Sequence, residues 1–201
     1  FMTVYASYNM KGKLLDYQRN FYKDVQRQWA KDPLKGYVFN TGGRKAIEYH
    51  FLKNMASHQI DVYKLKKDIR QGEKSFGKED SYIIPLQQKS YLKIKAMWEN
   101  MTEFADSVFY DISTWTFPHA YNLEYSRLSS VEGLVGEKVE DIVFPQGAVI
   151  GGKAKYAYVF ENKELYSHSL VSDLLKKGLM VRISKKPFKY RNGSQVKEFG
   201  Y

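Results

Sequence analysis

Two strand–helix–strand patterns predict an α/β protein with one open, mostly parallel sheet and flanking helices. The first pattern runs from Gly36-Tyr37-Val38-Phe39-Asn40, an apolar run suited to a buried strand, to the alternating Ile60–Leu65. Between them Ile47, Phe51, Leu52 and Met55 fall at helical spacing within residues 44–58. The second pattern has Lys155–Phe160 as a strand, a helix over 165–177 with Leu170, Leu174 and Leu175, and Leu179–Ser184 as the returning strand. Aligning Tyr37–Phe39 with Tyr158–Phe160, and Val62 with Val181, gives offsets of 121 and 119 residues, a weak duplication signal. Continuous apolar strands are expected where helices cover both faces of a parallel sheet, so Tyr37–Phe39, Val62, Tyr158–Phe160 and Val181 are expected to be buried in one. The alternation corresponds to a flavodoxin-like sheet.

The other elements follow in order. A helix is expected over Asn9–Ala30, with Leu14, Phe21, Val25 and Trp29 in one apolar stripe. Asp32-Pro33 ends it, because proline cannot continue the ladder and restricts the residue before it. Thr41-Gly42-Gly43 breaks the first strand and leads into its helix. Residues 80–86 read as a strand ending near Pro85, and residues 87–101 as a helix with Tyr91, Ile94, Lys95 and Trp98 on one side. Residues 107–116 are β-rich, and 124–153, with five glycines, read as loops and short strands. Gly178 is placed to cap the last helix in the left-handed conformation. The expected division is 1–35 as an N-terminal helix and linker, and 36–201 as the α/β domain.

Composition narrows the function. Of 201 residues 43% are hydrophobic and 27% charged, which excludes a disordered or collagen-like chain. The net charge of +10 comes from 25 Lys and 7 Arg against 22 acidic residues. Arginine is the better residue for bidentate phosphate or base recognition, so the lysines read as a solvated surface, with nucleic acid or an anionic membrane as the alternative, and no nucleic-acid partner is expected. No apolar run is long enough to span a bilayer, and the start of the chain lacks a signal-peptide pattern. The aromatic end, Glu198-Phe199-Gly200-Tyr201, reads as the beginning of a strand, so a piece of a longer protein is expected.

Catalytic chemistry finds little support. The absence of cysteine removes disulfides, thiolate metal sites and cysteine nucleophiles. His50 and His58 face about 80° apart on one helix, and with His119 and His168 they form no HExxH or HxxE pairing. No GxSxG elbow is present. Hence no catalytic residue and no metal ligand is assigned, and no cofactor is expected in this chain. Asn40, Thr41, Gly42 and Gly43 lie between a strand and a helix N-terminus, where free N–H groups suit a phosphate or carboxylate. They match neither the dinucleotide nor the P-loop pattern, and the same residues serve equally as a plain turn. Asp111, Ser113, Trp115 and His119 are candidates to line a pocket at a strand end. The structural alternative is that Tyr110, Trp115 and Phe117 pack while Asp111 and Ser113 cap a turn.

That segment, Phe109-Tyr110-Asp111-Ile112-Ser113-Thr114-Trp115-Thr116-Phe117-Pro118, resembles a run (FYD-I/V-S/T-x-W-T/S-L/F-P) of large bacterial proteins of the zinc carboxypeptidase family, especially from Bacteroidetes-like bacteria. Residues 14–22, Tyr37–Phe39, Tyr82–Leu86 and the final Phe199-Gly200-Tyr201 fall in the same family order. Phe117 and His119 depart from the leucines of that run, so no role passes to either. The resemblance implies a class I glutamine-amidotransferase-like α/β domain following a peptidase domain whose zinc ligands lie upstream of the matched region. It also implies an exported parent, periplasmic or extracellular, with zinc only in the peptidase. The expected function is a non-catalytic accessory or interaction domain that packs on its own upstream peptidase domain or forms a homodimer. The alternatives are a small-molecule, peptide or glycan-binding module, or an unrecognised hydrolase.

Overall fold

The computed structural model describes residues 2–100, 116–192 and 195–199. The chain forms two compact units, Phe1–Gly43 with Leu52–Asp141, and Arg44–Phe51 with Ile142–Tyr201.

The first unit begins with helices α1 (Met2–Asn9) and α2 (Lys11–Lys31), the latter ending at Asp32 as the proline demands. Strand β1 (Gly36–Asn40) follows, then α3 (Lys45–Ser57), whose later half belongs to this unit. Next come β2 (Tyr63–Leu65), the short hairpin β3 (Ile69–Gln71) and β4 (Lys74–Phe76), and β5 (Ser81–Pro85). Helix α4 (Tyr91–Trp98), the turn α5 (Phe117–Ala120), β6 (Glu124–Leu128) and β7 (Val135–Lys138) complete it. The five-stranded sheet has the order β6-β1-β5-β2-β7, and all its pairings are antiparallel.

This corrects the expected flavodoxin-like, mostly parallel sheet. β1 and β2 both run antiparallel to β5, which lies between them, so they share a direction without being neighbours. The strand–helix–strand reading of residues 36–65 was sound locally, but the crossover leaves a gap that a later strand fills. The apolar continuity of β1 has another cause than a parallel neighbour. On one face Tyr37 stacks on Trp98 of α4 with centroids 4.6 Å apart, and Phe39 packs against Tyr82 and Trp98 at 5.5 and 5.6 Å. On the other, Val38 joins Ile83, Leu65, Leu128, Leu134 and Phe76 of the β3–β4 hairpin. An antiparallel strand covered on both faces needs the same unbroken apolar sequence as a parallel one. Val62 is buried one residue ahead of β2.

β1 approaches its neighbours so closely that only glycine fits at its start. A Cβ on Gly36 would lie 2.9 Å from the Ile84 carbonyl oxygen and 2.7 Å from Val131 Cγ1. The valine can turn away, but the backbone at the sheet centre cannot. Gly36→Ala is therefore expected to lower the unfolding free energy by about 1–3 kcal/mol in urea denaturation, and an unchanged midpoint would refute the close approach.

The second unit contains the first half of α3, helix α6 (Ser167–Lys176) and the hairpin β8 (Phe188–Asn192) with β9 (Gln195–Phe199). Gly178, at φ +73°, closes α6, with the Gly178 and Leu179 N–H groups donating to Leu175 and Leu174 carbonyls. The left-handed cap is therefore present as expected. The strands expected at 155–160 and 179–184 are absent, which overturns the duplication argument. Neither segment belongs to a sheet, and Tyr158, Val159 and Phe160 are exposed while Val181 is half-buried.

Candidate functional site

The turn after β1 is built by Asn40. Its Oδ1 accepts the Gly42 N–H at 3.0 Å, and its Nδ2 donates to Glu124 Oε2 at 3.2 Å. Gly42 and Gly43 stand at φ +61° and +76°, consecutive left-handed positions that favour glycine. Thr41 is buried. The Asn40-to-Gly43 segment is thus a closed Asx-type turn. At the start of α3, in the second unit, the N–H groups of Lys45 and Ala46 donate to the two carboxylate oxygens of Glu164 at 3.2 and 3.4 Å. Glu164 thus caps the first turn of α3. In the same unit His50 Nε2 and the Tyr166 hydroxyl are 2.7 Å apart, and Phe144 meets Tyr49 edge-on at 5.0 Å.

His119 lies in the turn α5, its ring 6.2 Å from that of Tyr125 in an edge contact. Asp111, Ser113 and Trp115, expected to line a pocket with His119, lie outside the described residues. Among the described residues no three His, Cys, Asp or Glu side chains gather to hold a metal. No described helix is long and apolar enough to cross a membrane.

The most developed surface lies along α2. Leu14 and Phe21 are about half exposed, at 47% and 51%, whereas Val25 and Trp29 further along the same stripe are half-buried. Tyr17 stacks on Phe21 with centroids 6.3 Å apart, extending the aromatic face. The helix's last turn is clamped to α4 by Asp32. Its Oδ2 accepts from the Tyr91 hydroxyl and from Lys95 Nζ, both at 2.6 Å, and its Oδ1 accepts the Leu34 N–H at 2.9 Å. Burial raises the Asp32 carboxyl's pKa, but the three donors outweigh it and hold it at about 2. Burial and the bond to Asp32 push Tyr91 up, and the Asp32 bond raises Lys95 against the cost of its burial.

Beside this clamp a cleft of about 450 Å³ opens between α2 and residues 87–91, lined by Tyr22, Gln26, Trp29 and Gln87 among others. A second hollow of about 310 Å³ lies across Trp29, reaching Ser129 and Val131. Trp29 carries Lys35 Nζ over its ring at 5.6 Å.

Sequence reasoning read Asp32 only as the end of a helix. The spacing of Tyr91 and Lys95, four apart on one helix face, was the available signal that two donors share a target. Comparison with protein-family models, curated proteins and solved structures finds no match to this chain.

Proposed function

We propose that this chain is a non-catalytic accessory domain that docks onto a partner domain through α2, within a protein resembling the zinc carboxypeptidases. The observation that carries the reading is the gradient along α2. The helix is fixed at one end by Asp32 and Trp29, and it presents Leu14, Tyr17 and Phe21 with no cover among the described residues. Burying one such side chain contributes about 1.5–3 kcal/mol, so three on an anchored helix make a docking face. The resemblance names the occupant as the peptidase domain ahead of this chain in the parent.

A ligand-binding module is the second reading, favoured by the cleft beside Trp29, where aromatic rings stand next to the amides of Gln26 and Gln87.

The test is co-expression of this chain with the zinc carboxypeptidase domain of the same parent gene. The wild-type chain is expected to cosediment with it, and Leu14→Ser, Phe21→Ser to lose that association while keeping its own stability. A parent gene without such a domain, an unaffected association, or one tightly held zinc per isolated chain would overturn the reading.

A further inference from the structure

The second unit leaves a strand-like sequence uncovered. Residues 156–160 are apolar or aromatic on both prospective faces, yet Tyr156 is fully exposed and Tyr158 is 62% exposed. Met180 and Ile183 in the matching segment beyond α6 are exposed too, as are Leu170 and Leu175 on the helix between. A bilayer cannot serve as the cover, because an extended segment there leaves its backbone groups unpaired. A strand neighbour satisfies backbone and side chains together.

The sequence of this segment is complementary to itself. Laid antiparallel about Tyr158, it sets Lys155 opposite Glu161, Tyr156 opposite Phe160 and Ala157 opposite Val159. Opposite charges thus close both ends of an aromatic and aliphatic ladder, the geometry of a two-fold interface. We infer that a second copy of this chain covers residues 155–161 by antiparallel pairing of this segment with itself, whatever partner α2 takes. A lone pair of strands is marginal, and the exposed Leu170, Leu175, Met180 and Ile183 of each copy are available as further apolar cover. Pairing requires the Ala154 N–H to leave the Tyr158 hydroxyl, 3.1 Å away, and Glu161 to leave or share Lys163, 2.6 Å away. Both are exposed contacts of small consequence, and the Glu161 carbonyl, which accepts from the Ser167 hydroxyl at 3.0 Å, keeps a second lone pair for a strand neighbour.

The charge of this unit sets the salt dependence. It holds 13 Lys and Arg against five Asp and Glu, so two copies repel at long range. Screening weakens that repulsion, and dimerisation is expected to strengthen as salt rises, whereas an acidic partner or an anionic surface would bind less tightly.

Sedimentation of the full chain over a concentration series tests this at low and high salt. A dimer favoured by salt is expected. Lys155→Glu alone and Glu161→Lys alone are each expected to weaken it by about tenfold, and the two together to restore it. A chain that stays monomeric throughout would overturn the inference. So would a dimer indifferent to both single changes, or one not rescued by the pair. A dimer lost in Leu14→Ser, Phe21→Ser but untouched by the charge changes would belong to α2 and equally reject this interface.

Discussion

Truncating Trp98 to alanine is expected to lower the stability of the first unit by about 3–5 kcal/mol, a large part of the 5–15 kcal/mol typical of a domain. Trp98 is fully buried at the end of α4 and touches rings of both β1 and β6. Its indole stacks on Tyr37 at 4.6 Å, meets Tyr125 edge-on at 5.4 Å and tilts against Phe39 at 5.6 Å. Those rings sit on β1 and β6, so the side chain joins the helix to two adjacent strands of the sheet. Alanine would leave a cavity that two paired strands and a helix have little room to close. Trp98→Phe retains the stacking with less volume and is expected to cost well under half as much. Urea unfolding followed by far-ultraviolet circular dichroism measures both. A Trp98→Ala loss below about 1 kcal/mol would mean that α4 does not cover this face of the sheet.

The elements governed by local chemistry were legible in the sequence. Asp32-Pro33 stops α2, Gly178 stops α6, and the spacing of Tyr91, Ile94 and Trp98 gives α4 its buried face. Sheet topology was not legible, because Gly36–Asn40 carries the same apolar run whether its cover is two layers of helices or a helix and a hairpin. Nor does any local pattern announce that residues 81–85 return to lie between β1 and β2. In the second unit, Lys155–Phe160 and Leu179–Ser184 have strand-like sequences without strand neighbours, so composition pointed to a pairing that the single chain does not make. The candidate site divided similarly. The turn at Asn40–Gly43 was recognisable from its glycines, whereas the Glu164 carboxylate that accepts from the Lys45 and Ala46 N–H groups of α3 lies about 120 residues away in sequence. The clamp made by Asp32 has no local signature, because its partners Tyr91 and Lys95 stand 59 and 63 residues further on.

Asp32→Ala is expected to lower stability by about 2–4 kcal/mol and to release α2 from α4. The carboxylate accepts three hydrogen bonds, and its side chain is only 8% exposed. Its removal strands the Tyr91 hydroxyl, on a residue only 3% exposed, without its acceptor. Lys95 loses less, because its side chain is 42% exposed and water can take over. The same group predicts an acid dependence. The Asp32 carboxyl lies at about 2 in the folded chain against an ordinary 3.8, so its stabilisation is complete above the unfolded value and disappears as pH falls through 2. With allowance for the exposed lysine, that contribution is about 1–2 kcal/mol. Asp32→Asn, which cannot ionise, is expected to flatten the stability curve between about pH 4 and pH 2 relative to wild type. Hydrogen exchange should at the same time show the last turn of α2 opening more often in Asp32→Ala, while the amides of β1 and β5 keep their protection relative to the global stability. If α2 protection is unchanged and the acid profile of Asp32→Asn matches wild type, Asp32 does not anchor the helix, and the docking face would lose the rigid base on which its proposed role depends.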